Sequence, residues 1–300
     1  MRYGSAAAFR QALERRLLDR SRETGESLVR LRKVVVFDRL LARLSAAAPD
    51  RWVLKGALSL DFRLGHGGRT TKDIDLVRRD DEEAATTDLL AAQATDLGDF
   101  FAFAIERMAA PGEAGGAAVR YRARAELAGR LFEEVLIDIG FSDPLRWQPE
   151  SLCGPDLLAF AGIEPTVVPA LPLEQQVAEK VHAYTATYGD DQVSSRVKDL
   201  VDLALIAGSM SLRVERLREA LEVTFEARAR QPLPSRLPLP PPDWTVAFRK
   251  QATEIGLDPD VARAHAQAAA LLDPVLSGAA QGRWDPAAGR WTGATRGRGS

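Results

Sequence analysis

Two aspartates, Asp73 and Asp75, stand two positions apart in the run Asp73–Val77. Residues two apart in a β-strand project from the same face, so the two carboxylates share one face while Ile74 and Leu76 point to the other. Carboxylate oxygens are ligands for Mg²⁺ and Mn²⁺, and two such ions about 3.5–4 Å apart support phosphoryl or nucleotidyl transfer. The pair therefore indicates either a divalent metal site or, more simply, a strand that carries exposed acids.

A third acid, Asp138, lies in a second alternating run, residues 135–141. There Val135, Ile137 and Ile139 define a buried face, which places Asp138 on the opposite face among apolar neighbours. An acid in such a strand is costly unless it is paired or binds a cation. We therefore expect Asp138 either to join the other two aspartates as a metal ligand or to form a salt bridge with a nearby arginine.

A candidate phosphate-binding turn lies upstream, in the run Lys55-Gly56-Ala57-Leu58-Ser59, where an apolar strand gives way to a helix. Free backbone N–H groups and the positive end of the helix dipole attract phosphate at such a turn. A glycine-bearing turn alone is a weak signal. Here it is followed by one helix and then by Asp-x-Asp on the next strand, an order that favours phosphate chemistry.

Lys180 and Asp202 are candidate functional residues of the second half. Lys180 lies at the border of an apolar helix stripe, where it either meets a triphosphate as a point charge or extends along the core to water. Asp202 lies on the apolar side of the next helix and needs a cationic partner, for which Lys180, Lys198 and Arg196 are candidates. Asp202 therefore either orients a phosphate-binding lysine or braces the helices. The same helical wheel makes Asp199 the more exposed acid.

The elements that must position these residues follow from the spacing of apolar side chains. In the first half, the spacing predicts helices over 5–20, 27–47, 57–64 and 82–94 and strands over 51–54, 73–77, 100–108, 117–127 and 133–141. From Leu173 onward the pattern is helical, with segments at 173–188, 195–208, 212–228, 244–256 and 259–276. A glycine-rich turn is expected at 111–116, and the proline cluster at 232–242 predicts a stiff extended linker or strap.

This order of elements predicts an α+β fold with two domains. A domain with a mixed sheet and amino-terminal helices spans residues 1–170, and a helical domain follows over 171–276. Residues 277–300 are expected to form a loosely ordered tail, with Trp284 and Trp291 as the side chains that pin part of it to the body.

Composition narrows the class of protein further. The 300 residues, 46% of them apolar, can bury a core, and the formal net charge of −2 shows no overall basic balance. The arginine-rich segments 10–22, 30–43 and 213–230 are therefore either solvated helix faces or local contacts for RNA.

A single cysteine, Cys153, excludes internal disulfides, and no run approaches the ~20 apolar residues of a membrane span. We expect a soluble cytoplasmic protein without a membrane partner.

Together these motifs resemble one known family. The runs Leu54–Ser59 and Arg69–Leu76, with the downstream runs 174–183 and 196–203, resemble the motifs of AbiEii-type nucleotidyltransferase toxins, a branch that includes the MenT toxins. These belong to the DNA polymerase β-like nucleotidyltransferase superfamily. The resemblance covers about 29–291 of the chain, and the joint pattern is far more specific than any one motif.

Two positions depart from the family pattern. Ala57 stands where the family usually has a second glycine, and its Cβ narrows the predicted triphosphate cradle. Thr71 stands where serine is common and keeps the hydroxyl.

The resemblance implies a polymerase β-like nucleotidyltransferase domain followed by a helical domain, with the active cleft between them. It implies transfer of nucleotides from an NTP to an RNA 3′ end, particularly that of tRNA, with Mg²⁺ or Mn²⁺, by a toxin that has a cognate antitoxin protein. The metal ligands are then Asp73, Asp75 and Asp138, the catalytic set adds Lys180 and Asp202, and the nucleotide-binding residues are Lys55, Gly56, Ala57, Ser59, Arg69, Thr71 and Lys180. Two alternatives stay open: nucleotidylation of a protein or of a small molecule such as an antibiotic, and a catalytically inactive protein that only binds nucleotide, RNA or a partner.

Overall fold

The computed structural model describes residues 2–65, 68–69, 71–108, 118–141, 146–186, 196–229 and 231–293. The glycine-rich turn expected at 111–116 lies outside these residues. The chain divides into two units, Met1–Leu171 and Pro172–Ser300. Within the described part of the chain, every helix is too short or too polar to span a bilayer.

A mixed β-sheet organises the first unit. Its strands are β1 Val53–Lys55, β2 Asp73–Val77, β3 Phe101–Arg107, β4 Ala118–Leu127, β5 Arg130–Gly140, β6 Glu150–Cys153 and β7 Val167–Ala170. The order across the sheet is β3-β4-β5-β2-β1-β7-β6. The pairs β2/β5 and β1/β7 are parallel and the others are antiparallel. The predicted α+β class with a mixed sheet is confirmed.

Local sequence sets the ends of the helices that accompany this sheet, which are α1 Ala6–Thr24, α2 Leu28–Ala47, α3 Gly56–Arg63 and α4 Glu82–Ala94. At the start of α1 the Ser5 side chain accepts the N–H of Ala8 at 3.3 Å, and at the start of α4 Asp81 accepts that of Ala84 at 2.9 Å. Serine and aspartate are preferred at this position because they satisfy a free N–H group. Gly25, with φ +77°, ends α1 in the left-handed conformation that glycine adopts readily.

The hydrophobic core of the first unit packs against one face of the central strands. Ile74 and Leu76 of β2 and Ile137 and Ile139 of β5 are fully buried in one cluster with Leu40 of α2. Because side chains alternate along a strand, the acids at the intervening positions lie on the other face of the sheet.

Arg39 and Arg43 of α2 are buried partners of acids. Arg43 is 0% exposed and donates to the two carboxylate oxygens of Asp99 at 2.9 and 2.6 Å and to the carbonyl of Phe101 at 2.8 Å. Arg39, also buried, forms an ion pair with Asp38. Both interpretations of the arginine-rich segment from the sequence, a solvated face or an RNA contact, are wrong for these two side chains.

Helices build the second unit, as the apolar spacing predicts. They are α5 Leu173–Thr185, α6 Val197–Ser209, α7 Val214–Arg228, α8 Trp244–Thr253 and α9 Val261–Leu276, and a hairpin of β8 Arg283–Asp285 and β9 Arg290–Thr292 follows. Of the segment predicted over 195–208, residue 195 lies outside the described residues, and the helix begins at Val197 after its N-cap residue Arg196.

The carboxy-terminal hairpin is anchored by its tryptophans. Trp284 is 1% exposed, and its ring nitrogen donates to the carbonyl of Ala207 in α6 at 2.8 Å. The ring nitrogen of Trp291 donates to the carbonyl of Leu271 in α9 at 2.8 Å. The segment up to Thr292 therefore packs on the helices through the two tryptophans that the sequence singled out as anchors of the tail.

The proline-rich segment crosses the helices as an extended strap. The N–H of Leu237 donates to Asp273 of α9 at 2.7 Å, and the hydroxyl of Tyr184 in α5 donates to the carbonyl of Pro238 at 2.7 Å. Leu237 is buried.

Candidate active site

Four charged side chains stand in one row across the sheet. Lys55 of β1 pairs in register with Asp75 of β2. On its other side Asp75 pairs with Asp138 of β5, which in turn pairs with Arg120 of β4. Directly paired residues on neighbouring strands project to the same face. The row therefore brings two predicted metal ligands together with a predicted nucleotide-binding lysine and with an arginine that the sequence did not single out.

Asp73 lies two residues before Asp75 on the same face of β2, and Thr71 fixes its carboxylate. The hydroxyl of Thr71 donates to Oδ1 of Asp73 at 2.6 Å and approaches its backbone carbonyl at 3.2 Å. Thr71 is buried. Its contacts support a positioning role for Thr71, and the predicted contact of Thr71 with nucleotide stays a prediction.

Gly56 lies directly against the carboxylate of Asp75. Its φ of +70° is a conformation that side chains rarely adopt, and a Cβ at this position would lie 1.9 Å from Oδ2 of Asp75. Glycine is therefore required here twice, by the backbone and by the neighbouring carboxylate. The turn that the sequence assigns to phosphate thus also shapes the aspartate pair.

The side chains of Ser59 and Ala57 are buried on the inner side of this turn. Ser59 is 0% exposed, and its hydroxyl donates to the carbonyl of Gly56 at 3.0 Å. Ala57 is buried as well, so its methyl group does not project to the solvent side of the turn, where the triphosphate is predicted to bind. Lys55 and Arg69 are only partly buried. Of the predicted nucleotide-binding residues of this region, Lys55, Gly56 and Arg69 are thus accessible enough to contact a ligand.

Asp138 is engaged by Arg120. The Nε and Nη2 groups of Arg120 donate to the two carboxylate oxygens of Asp138, each at 2.6 Å. These hydrogen bonds raise the pKa of Arg120, burial opposes the effect, and the charges of Asp73 and Asp75 add to it. The salt bridge that the sequence left open as an alternative is the contact that Asp138 makes in this structure.

Arg30, Asp61 and Gly68 form a clamp that holds the chain just before Arg69, and the sequence did not reveal it. Arg30 of α2 donates to the carbonyl of Gly68 at 2.9 Å and to Asp61 of α3 at 2.7 Å. Asp61 also accepts the N–H of Gly68 at 3.1 Å. A Cβ on Gly68 would lie 2.9 Å from the Cα of Asp61, so glycine is required for this approach. The clamp fixes the entry to Arg69 and Thr71.

In the helical unit, Lys180 and Asp202 form a buried ion pair. The Nζ of Lys180 donates to Oδ2 of Asp202 at 2.5 Å and lies 3.7 Å from Oδ1 of Asp199. The other carboxylate oxygen of Asp199, Oδ2, accepts from Nε of Arg196 at 2.6 Å. Lys180 is 7% exposed, and Asp202 and Asp199 are nearly inaccessible. The sequence therefore identified the partner of Asp202 among its candidates. Asp199, expected to be the more exposed of the two acids, is buried to nearly the same extent as Asp202.

The residues that would hold a divalent cation are Asp73 and Asp75. Among the described residues no group of three or more His, Cys, Asp and Glu side chains is placed to hold a metal ion. Mg²⁺, however, is commonly held by one or two carboxylates together with substrate phosphates. Two carboxylates on one face of β2, one of them fixed by Thr71, fit that donor set. Asp138 meets Arg120 instead.

Comparison with known families identifies the chain. Residues 39–278 match the family described as "Nucleotidyl transferase AbiEii toxin, Type IV TA system". The chain belongs to this family. It is therefore a nucleotidyltransferase of the toxin–antitoxin type, as its motifs indicated, and membership implies a nucleotide substrate and an antitoxin partner.

Solved structures resemble the chain over most of its length. MenT4, nucleotidyltransferase toxin Rv2826c from Mycobacterium tuberculosis H37Rv, is 21% identical with a TM-score of 0.54, over 90% of this chain and 98% of that one. A putative nucleotidyltransferase from H. pylori is 14% identical with a TM-score of 0.46, over 82% and 95% of the two chains. JHP933 from Helicobacter pylori is 13% identical with a TM-score of 0.46, over 82% and 93%. No curated protein sequence matches the chain. The likeness to MenT4 shows that the chain has the fold of that nucleotidyltransferase toxin.

Proposed function

We propose that this AbiEii-type enzyme transfers nucleotides from an NTP to the 3′ end of an RNA, with tRNA as the acceptor, and that Asp73 and Asp75 hold the Mg²⁺ or Mn²⁺ it needs. The observation that carries the proposal is the pair of carboxylates on one face of β2, positioned by Thr71 and Gly56. The choice of RNA rests on the family resemblance.

Each residue of the site has a role in this proposal. The bound cation would lower the pKa of the attacking hydroxyl and neutralise charge on the phosphates. Thr71 keeps Oδ1 of Asp73 in a fixed orientation through its 2.6 Å hydrogen bond. Lys55 and Arg69 provide positive charge for the triphosphate beside the N–H groups at the start of α3.

Lys180 is a further proposed ligand of the triphosphate. Its 2.5 Å ion pair with Asp202 restricts an otherwise flexible ammonium to one position. Asp202 is then a positioning residue, which acts through the lysine.

The test is incubation of the protein with total tRNA and each labelled NTP in turn, with and without Mg²⁺. We expect label in RNA with at least one NTP, no label without the cation, and loss of label in Asp73→Asn and Asp75→Asn. Removal of a metal ligand should cost several kcal/mol of transition-state stabilisation, about a hundredfold or more in kcat. Thermal melting of both variants checks that they fold. Label in protein and none in RNA would contradict the RNA acceptor, and wild-type rates in both variants would contradict the metal site.

A further inference from the structure

Asp138 and Arg120 form an ion pair with two hydrogen bonds, at one end of the row of four charged side chains. The two strands place them side by side, and both oxygens of Asp138 accept from the guanidinium at 2.6 Å. A fork of two parallel hydrogen bonds is the strongest arrangement that arginine and carboxylate make. The arginine remains 31% exposed and the aspartate 21%, so a cation from solvent can compete for the carboxylate.

The charge of Arg120 also interacts with acids other than Asp138. Asp73, Asp75 and Asp138 lie on two adjacent strands, and like charges at such spacing disfavour one another. The charges of Asp73 and Asp75 both favour the protonated guanidinium of Arg120. The positive charge of Arg120 therefore acts on all three acids.

The other arginines on this face of β4 have a different partner. Arg122 lies 3.2 Å and Arg124 4.0 Å from oxygens of Glu134 on β5. They project on the same side as Arg120, since all three alternate along the strand. Arg122 is therefore a matched control for Arg120. It is an arginine on the same strand and face, but its partner Glu134 is not part of the row.

We propose that Arg120 is a built-in substitute for a metal cation, which holds Asp138 away from the metal in the nucleotide-free enzyme. This inference rests on the proposed function, because it requires the cation to bind at Asp73 and Asp75. With its third carboxylate engaged, the free protein binds a divalent cation weakly, and the cation enters with the phosphates of the nucleotide. Arg120 is in this sense a positioning residue that makes metal binding depend on substrate.

The experiment is titration of the nucleotide-free protein with Mn²⁺, with free Mn²⁺ followed by electron paramagnetic resonance. In Arg120→Gln the third carboxylate becomes available and a positive charge is lost, so we expect the Kd for Mn²⁺ to fall about tenfold. Arg122→Gln should bind Mn²⁺ as the wild type does. The double variant Arg120→Gln/Asp138→Asn should lose the gain, because the freed ligand is absent.

Arg120→Lys provides a second measurement if the glutamine variant melts without a cooperative transition. A lysine makes one point contact where arginine makes a fork, so one oxygen of Asp138 is released and Mn²⁺ should still bind more tightly than in the wild type. Unchanged or weaker Mn²⁺ binding in the folded Arg120 variants overturns the role of Arg120. A gain that persists with Asp138→Asn overturns it as well.

Failure of this inference and failure of the proposed function are separable. If the wild type transfers nucleotide to RNA and the Arg120 variants show no tighter Mn²⁺ binding, only the inference about Arg120 fails. If Mn²⁺ binding tightens through Asp138 but no NTP labels RNA, the role of Arg120 is supported and the proposed RNA acceptor fails.

Discussion

At the scale of single residues, Asp75 and Gly56 depend on each other. The carboxylate occupies the space that any side chain at position 56 would need, since a Cβ there would lie 1.9 Å from Oδ2. Gly56→Ala should therefore displace Asp75 and lower nucleotidyl transfer strongly. It should also destabilise the protein by more than the about 1–2 kcal/mol of the left-handed backbone alone.

Gly25→Ala is the matched control for this variant. Gly25 has a similar φ of +77°, but nothing lies within 4 Å of the position of its Cβ. This control should lose about 1–2 kcal/mol in urea unfolding and keep its activity. Equal activity in the two variants would show that the contact between Gly56 and Asp75 is not needed for transfer.

Thr71 makes a second prediction at this scale. Its hydroxyl donates to Asp73 at 2.6 Å, so Thr71→Val should leave that carboxylate free to rotate and should lower kcat. The cost in stability should be about 1 kcal/mol, the usual contribution of one hydrogen bond. Thr71→Ser keeps the hydroxyl and should keep the rate. Activity and urea unfolding of the two variants test this, and a fully active valine variant would show that the contact is incidental.

At the scale of elements, the clamp between α2 and α3 controls the entry to β2. Arg30 and Asp61 are both buried, and their 2.7 Å contact also holds Gly68. Arg30→Gln removes the guanidinium that contacts the buried Asp61 at 2.7 Å and should destabilise the first unit by about 3–5 kcal/mol. The exposed pair of Arg15 and Asp19 on α1 is the control, because Arg15→Gln should cost less than about 1 kcal/mol. Urea unfolding measures both, and equal losses would refute the clamp.

The helix pair α5 and α6 gives a prediction about nucleotide binding. Lys180→Ala should raise the apparent KM for NTP strongly, and Lys180→Arg should raise it less because the charge survives with altered geometry. Steady-state kinetics with varied NTP provide the comparison, and melting curves show how much of the loss is structural, since Asp202 is left buried without its lysine. The same KM in all three proteins would restrict Lys180 to a structural role.

The elements also show where sequence patterns succeed. The predicted bounds of β2 and α4 agree with the structure, because alternation in one and an aspartate cap in the other are local signals. Strands β6 and β7 were not predicted. Each has four residues, too few to show alternation, and β7 contains Pro169, which is unusual in a strand.

For the site, the sequence located the aspartates but not their partners. The carboxylates of β2 could be predicted since their spacing alone places them on one face. The pairing of Arg120 with Asp138 depends on the register of β4 and β5, and the clamp on Gly68 joins residues 38 positions apart. Such contacts arise only when the elements pack, so no local pattern signals them.

At the scale of the whole molecule, the chain beyond α9 completes the helical unit. Trp284 is 1% exposed, stacks edge-on against Trp291 at 5.7 Å between ring centroids, and donates to α6 at 2.8 Å. Loss of a buried tryptophan removes a large apolar area and leaves the carbonyl of Ala207 without this donor. Trp284→Ala should therefore destabilise the helical unit by about 3–5 kcal/mol.

Val246→Ala is the control, because Val246 is 77% exposed and its truncation should change stability by less than about 0.5 kcal/mol. Urea unfolding gives the free energies, and hydrogen exchange should place the loss of protection in α6 and α9. Unchanged exchange in those helices with full stability would show that the hairpin only lies on the surface, as a loosely ordered tail would.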